Sequence, residues 1–169
     1  YDNSDDPQNI RNQAAMGGGG LRDIGVYVLG SARYVMAADL ENISAKIRLE
    51  SGFDTFASMQ GTMAGASYSA YVSTRMHPHQ EMVFHGSEGL LRLTAPFNAN
   101  IFGEARIELH QPNLGLRVEK FPAANHYVNQ VVAFGHSIRN GAAYPWTLEQ
   151  ARGTQEAIDT VLAIGTDLT

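Results

Sequence analysis

A chain of 169 residues, 44% hydrophobic and 17% charged, has the size and composition of a globular domain that buries a core of its own, which excludes a disordered tail. Its net charge of −5 gives no attraction for nucleic acid or an anionic membrane, and no apolar run is long enough to span a bilayer. Cysteine is absent, so disulfides and thiolate metal sites are excluded; a reducing, cytoplasmic compartment fits, as does a periplasmic one.

The chain opens on Tyr1-Asp2-Asn3-Ser4-Asp5-Asp6-Pro7, a polar, acidic stretch without an initial methionine, from which further sequence upstream is expected. Four consecutive glycines, Gly17 to Gly20, come next. Glycine loses the most backbone freedom on ordering, so such a run predicts unusual dihedrals or a close approach to the backbone. A helix is predicted from Leu21 to Met36, because Leu21, Ile24, Gly25, Val28, Leu29, Ala32, Val35 and Met36 recur at helical spacing. Asp23, Tyr27 and Tyr34 form a second stripe beside them.

Strands follow. Ile43, Ala45, Ile47 and Leu49 alternate with Ser44, Lys46, Arg48 and Glu50, a period of two, and Ser51-Gly52 reads as the turn. Further strands are predicted near Asp54–Thr62, Ala66–Thr74, Gln80–Gly86, Gly89–Thr94, Glu104–Gln111 and Gly115–Lys120. The short connections between them favour antiparallel pairing in one seven-stranded sheet, with a tight hairpin at Ser87-Glu88-Gly89. Two helices close the chain. Asn125 caps the first, with Tyr127, Val131, Phe134 and Ile138 as its expected core face and Gly141 beyond its end. Thr147 and Gln150 make a capping-box pattern for the second, with Leu148, Ala151, Ile158, Val161 and Leu162 expected inside. The expected fold is α+β: an open, mainly antiparallel sheet with helices on one face. The other face, carrying Tyr71, Met82, Phe84, Ile107, Leu109, Leu116 and Val118 at alternating positions, is expected to be apolar and to need a partner.

The chemistry-bearing residues cluster after the glycine run. Asp23 and Tyr27 stand four apart and share a helix face. A phenol beside a carboxylate can exchange a proton with a substrate hydroxyl or carbonyl, but with an ordinary pKa of about 10 it needs a cation or cofactor to act as a base near neutrality. A second account has Asp23 capping or pairing locally and Tyr27 packing in the core, and spacing alone favours it, since buried tyrosines are common. The glycine run is not preceded by a buried strand, and neither G-x-G-x-x-G nor a P-loop occurs in the chain, so no nucleotide-binding motif is present. His77-Pro78-His79 has the look of a metal pair, but a histidine pair around a proline with no third ligand reads better as a solvated hairpin tip. No metal is expected. Trp146, the single tryptophan, is expected to staple the last helix.

Asn9-Ile10-Arg11, Gly17-Gly18-Gly19 and Asp23-Ile24-Gly25-Val26-Tyr27 together resemble the Gfo/Idh/MocA oxidoreductases. The likeness continues through His85-Gly86-Ser87-Glu88-Gly89-Leu90-Leu91, Thr94-Ala95-Pro96-Phe97-Asn98, Asn125-His126-Tyr127 and Pro145-Trp146-Thr147-Leu148-Glu149-Gln150-Ala151. The branch most similar holds xylose dehydrogenases, dihydrodiol dehydrogenases and glucose–fructose oxidoreductase. The resemblance implies a two-domain enzyme in which residues 1–169 are a single C-terminal substrate-binding and oligomerisation domain. A nucleotide-binding domain for NAD or NADP, which also supplies a lysine from a Glu-Lys-Pro motif, would precede it outside this chain. It further implies Tyr27 as the acid/base of the family's D-x-G-x-H/Y motif, Asp23 as its orienting partner, Arg11 and Tyr127 as pocket-lining residues, and a sugar or cyclic diol as substrate. A homodimer or higher homo-oligomer through the sheet face is expected, and no NAD(P) binding or activity by this chain alone. The alternative is a non-enzymatic binding or assembly module built on the same domain.

Overall fold

The computed structural model of the chain describes residues 2–99, 101 and 103–168; Tyr1, at the head of the acidic segment, lies outside them. The fold is α+β, and it consists of two compact units. The first runs to His77 and resumes at Trp146, and the second is Pro78–Pro145.

In the first unit a π-helical turn, Leu21–Gly25, leads into helix α1, Val26–Met36. Three strands follow, β1 (Glu41–Glu50), β2 (Phe53–Met63) and β3 (Ala66–Ser73). The chain returns as helix α3, Leu148–Ile164, and a two-residue strand β8, Thr166–Asp167. The sheet order is β3-β2-β1-β8, antiparallel except for the parallel β1–β8 pair. Ser51 and Gly52 both have positive φ (51° and 86°), the twist that a two-residue hairpin between Glu50 and Phe53 requires.

One face of this sheet carries Ile47, Ala57 and Val72 in register. They join Leu21, Leu29, Met59, Ile158 and Val161 in a core formed with α1 and α3. Tyr68 lies on the same face and donates to Val28 O at 3.2 Å, and burial pushes its phenol well above the ordinary range. The other face is polar: Ser44, Lys46, Ser58, Gln60 and Ser69 share it with a stacked Phe56–Tyr71 pair, 6.1 Å between centroids.

The second unit is an antiparallel meander of β4 (Met82–Gly86), β5 (Gly89–Leu93), β6 (Arg106–Gln111) and β7 (Gly115–Lys120), followed by helix α2, His126–Asn140. Register places Met82, Phe84, Leu91, Leu93, Ile107 and Leu109 on one face. On the other, Arg92 meets Glu108 across the strands at 3.7 Å, and Arg106 reaches Glu108 at 2.7 Å.

Four expectations are corrected. The strands form two sheets, not one of seven, because the β3–β4 connection holds Pro78, which cannot donate to a ladder, and Arg75, whose guanidinium turns back to Asn3, Asn12 and Glu50. Tyr71 therefore lies in a different sheet from Met82, and Leu116 and Val118 lie on the opposite face of the second sheet from Phe84 and Leu109. The stripe Tyr127, Val131, Phe134 and Ile138 of α2 is exposed; periodicity marks a face as apolar without naming what covers it. In α3, Leu148 and Ala151 are exposed and Thr154 is buried with Ile158 and Val161, because Thr154 takes the hydroxyl contact with Arg33. No helix among the described residues is long and apolar enough to cross a membrane.

Candidate active site

The glycine run is explained by what crowds it. Gly18 N donates to Gln13 O at 3.0 Å and Gly19 N to Arg11 O at 2.9 Å. A Cβ on Gly18 would lie 2.6 Å from Arg11 O, and one on Gly19, at φ +117°, would collide with Asp54 Oδ1. Asp54, at the start of β2, is 2% exposed and accepts a 2.7 Å hydrogen bond from Leu21 N through Oδ2. Burial pushes its carboxyl pKa up; the amides of Leu21, Asp54 itself and Gly20 pull the other way, as does Arg22.

Asp54 thus meets the turn that carries the motif residues. A Cβ on Gly25 would lie 3.3 Å from Leu21 Cδ2 and 3.8 Å from Ile158 Cγ1, so the motif glycine keeps the turn tight against the core. Arg11 Nε and Asp23 Oδ2 form a 2.7 Å ion pair, with the two side chains 39% and 23% exposed. Asn9 Oδ1 accepts from Arg11 N at 3.1 Å and from Arg11 Nη1 at 3.4 Å, which aims the guanidinium. Tyr27 stands four residues on, in the first turn of α1, and is 41% exposed. It is not a core residue, so the packing account of Tyr27 fails.

The structure therefore brings Arg11 and Asp23 into contact, with Tyr27 four residues on, in the first turn of α1. Tyr127 belongs to the second unit, where it is exposed and donates to Asn98 Oδ1 at 2.6 Å, its ring 4.5 Å from that of His126. Among the described residues no group of three or more His, Asp or Glu side chains is placed to hold a metal ion. His79 only approaches Glu81, at 3.8 Å. His85 and His110 flank Leu90 on one face of the second sheet and line an open depression of about 390 Å³ with Gly86, Gly89, Pro112 and Leu116. None of its lining comes from the Asp23–Tyr27 turn, and its openness leaves it no means of excluding water from a reaction. Asp54 is the residue the sequence reading missed. Its one signal is a carboxylate at the start of a strand, beside Phe53 and close to Phe56 and Ala57.

The sequence pattern of the GFO/IDH/MocA C-terminal domain matches residues 1–92. An uncharacterized oxidoreductase of Rhizobium meliloti is 29% identical over 163 residues, 92% of this chain and 49% of that protein. The dTDP-3,4-didehydro-2,6-dideoxy-alpha-D-glucose 3-reductase of Streptomyces antibioticus is 29% identical over 140 residues, 79% of this chain and 41% of its own. The crystal structure of a 3-ketoreductase from Actinomadura kijaniata, in complex with NADP and TDP-benzene, superposes with a TM-score of 0.81 over 96% of this chain and 50% of that one, at 22% identity; the likeness is one of fold. The chain spans about half the length of the curated relatives it matches.

Proposed function

Because the chain belongs to the GFO/IDH/MocA C-terminal domain family, we propose that it is the substrate-side part, residues 1–169, of a longer NAD(P)-dependent oxidoreductase acting on a sugar or cyclic diol. The observation that carries this reading is a partly exposed Tyr27 side chain in the first turn of α1, four residues after an Asp23 carboxylate held by Arg11. Sugar-reductase relatives such as the Streptomyces antibioticus enzyme support the substrate class.

The glycine run of this chain does not form a dinucleotide cradle. The amides of Gly17, Gly18 and Gly19 donate to Ala14, Gln13 and Arg11 carbonyls, and the next two face the Asp54 carboxylate. A phosphate approaching that turn meets amides already spent on backbone carbonyls and on the Asp54 carboxyl oxygens, the reverse of a pyrophosphate site. We therefore assign cofactor binding to the part of the protein outside this chain, where a nicotinamide would exchange hydride with the substrate carbon. This chain's residues handle the proton. Tyr27 gives its hydroxyl proton to a substrate carbonyl oxygen in reduction, or takes one from a hydroxyl in oxidation. Asp23 orients that exchange, and its ion pair with Arg11 fixes the carboxylate in place. Arg11 is assigned to the lining of the substrate pocket beside Asp23, and Tyr127, taken by itself in the second unit, is assigned a substrate contact. Assembly through the apolar face of the second sheet completes the proposal.

The test is Tyr27→Phe in the full-length protein. The substitution removes one hydroxyl from a partly exposed ring, so folding is expected to be intact. Turnover is expected to fall by about a hundredfold or more, with KM for the nicotinamide cofactor unchanged. Unchanged turnover would sink the acid/base role.

A further inference from the structure

We propose that Asp54 is the positioning residue of this site: from β2 it fixes the π-helical turn Leu21–Gly25, and through that turn the directions in which Asp23 and Tyr27 point. The proposal rests on the reading of Tyr27 as acid/base.

A carboxylate that is 2% exposed is expensive to keep. Among the described residues Asp54 makes no ion pair, and its neighbours Thr55 and Thr74 are themselves buried. What compensates it is backbone: Leu21 N at 2.7 Å, with further amide contacts from Gly20 and from Asp54 itself. The first amides of a helical turn have no partner within the helix, and Asp54 supplies one from another element, 33 residues along the chain. The contact falls where the geometry is least common. A π-helical turn is wider than an α-turn and rarely persists without outside support, and here it gives way to α1 at Val26, between Asp23 and Tyr27. If Leu21 N were released, the turn could tighten to α-helical geometry, and Asp23 would rotate relative to Arg11 and Tyr27. Gly19 and Gly20 belong to the same device. A Cβ on Gly19 would strike Oδ1, and one on Gly20 would lie 3.3 Å from Oδ2, so both glycines are places where a side chain would push the carboxylate off Leu21.

The experiment uses the full-length protein with Asp54→Asn, Gly20→Ala, Tyr27→Phe and, as a core control, Val161→Ala, a buried position on α3. Asn keeps an oxygen for Leu21 N but turns the other oxygen into a donor facing the Gly19–Gly20 backbone. Gly20, at φ −71°, accepts alanine without backbone strain, so its variant tests the same contact should Asp54→Asn fail to fold. For both, kcat is expected to fall about 10- to 100-fold, with KM for the cofactor unchanged. Amide hydrogen exchange is expected to accelerate in the peptide 18–27 alone. Val161→Ala is expected to lower Tm with kcat unchanged. If Tyr27→Phe is impaired while Asp54→Asn and Gly20→Ala keep parental kcat, the positioning role is overturned and the acid/base reading stands. If Tyr27→Phe is fully active, the acid/base reading falls, and exchange alone decides the anchor: faster exchange confined to 18–27 upholds it, and unchanged or uniform exchange overturns it.

Discussion

At Asp54 burial favours the neutral acid, and the native protein holds its proton more tightly than the unfolded chain does. The sign of the linkage follows. Between the ordinary carboxylate value of 3.8 and the higher folded value, the native state binds the more protons, so this group's contribution to stability falls as pH rises through that window and is greatest below it. Arg22 opposes the shift by favouring the charged form. The expected outcome is that, in thermal melts, the parent gains Tm relative to Asp54→Asn as pH is lowered from neutral toward 4. A constant difference would show that the amides compensate the charge in full. That Asp23 and Tyr27 stand about one turn apart on helical backbone was legible from their spacing, because helical periodicity is local; a chemical role for them came only with the family resemblance. The exposure of Tyr27 was not, since spacing says which residues share a face but not whether that face is buried. Asp54 was illegible for a different reason: its partner is a backbone amide on another element, and no pattern of side chains records it.

The seam between α1 and α3 shows what one element asks of its neighbour. Arg33, 8% exposed, donates to Asp39 from Nε and Nη2 at 2.9 and 2.6 Å, and from Nη1 to Gln150 O and Thr154 Oγ1, each at 2.6 Å. Trp146 lies 5.6 Å from that guanidinium and 5.8 Å from the Tyr34 ring, so the tryptophan does fasten the start of α3. Thr147 Oγ1 accepts from Gln150 N at 3.2 Å and Gln150 Oε1 from Thr147 N at 2.8 Å. Thr147→Ala is expected to cost about 1 kcal/mol and to lower Tm by roughly 2–4 °C, measured by calorimetry. No change would mean that Trp146 and Arg33 hold that end without the cap. The capping box was legible because its two residues are three apart. The π-helical turn was not: Leu21, Ile24, Gly25 and Val28 give the same stripe whether the first turn holds four residues or five. The outward face of α2 was hidden because its periodicity describes α2 alone.

At the scale of the whole molecule, the face of the first sheet away from its core is polar, while Met82, Phe84, Leu91, Leu93, Ile107 and Leu109 share one side of the second sheet. That side, with Phe84, Leu91 and Leu109 at its centre, is where self-association through a sheet is expected. Light scattering at micromolar concentration is expected to give a dimer or higher mass, with about 2,000 Å² or more buried in total. A monomer mass would remove the sheet from consideration. The fold class was legible from the order of elements; the division into two sheets was not, since alternation fixes the faces of a strand but not its neighbours. That division also sets a timetable. The first unit is discontinuous, with all of 78–145 between β3 and α3. During synthesis Leu21, Leu29, Ile47 and Met59 emerge long before Ile158 and Val161, which complete their core. Closing so long a loop slows folding more than it weakens the native state. The nascent first unit therefore waits with its core open while the second emerges, until α3 brings Ile158 and Val161.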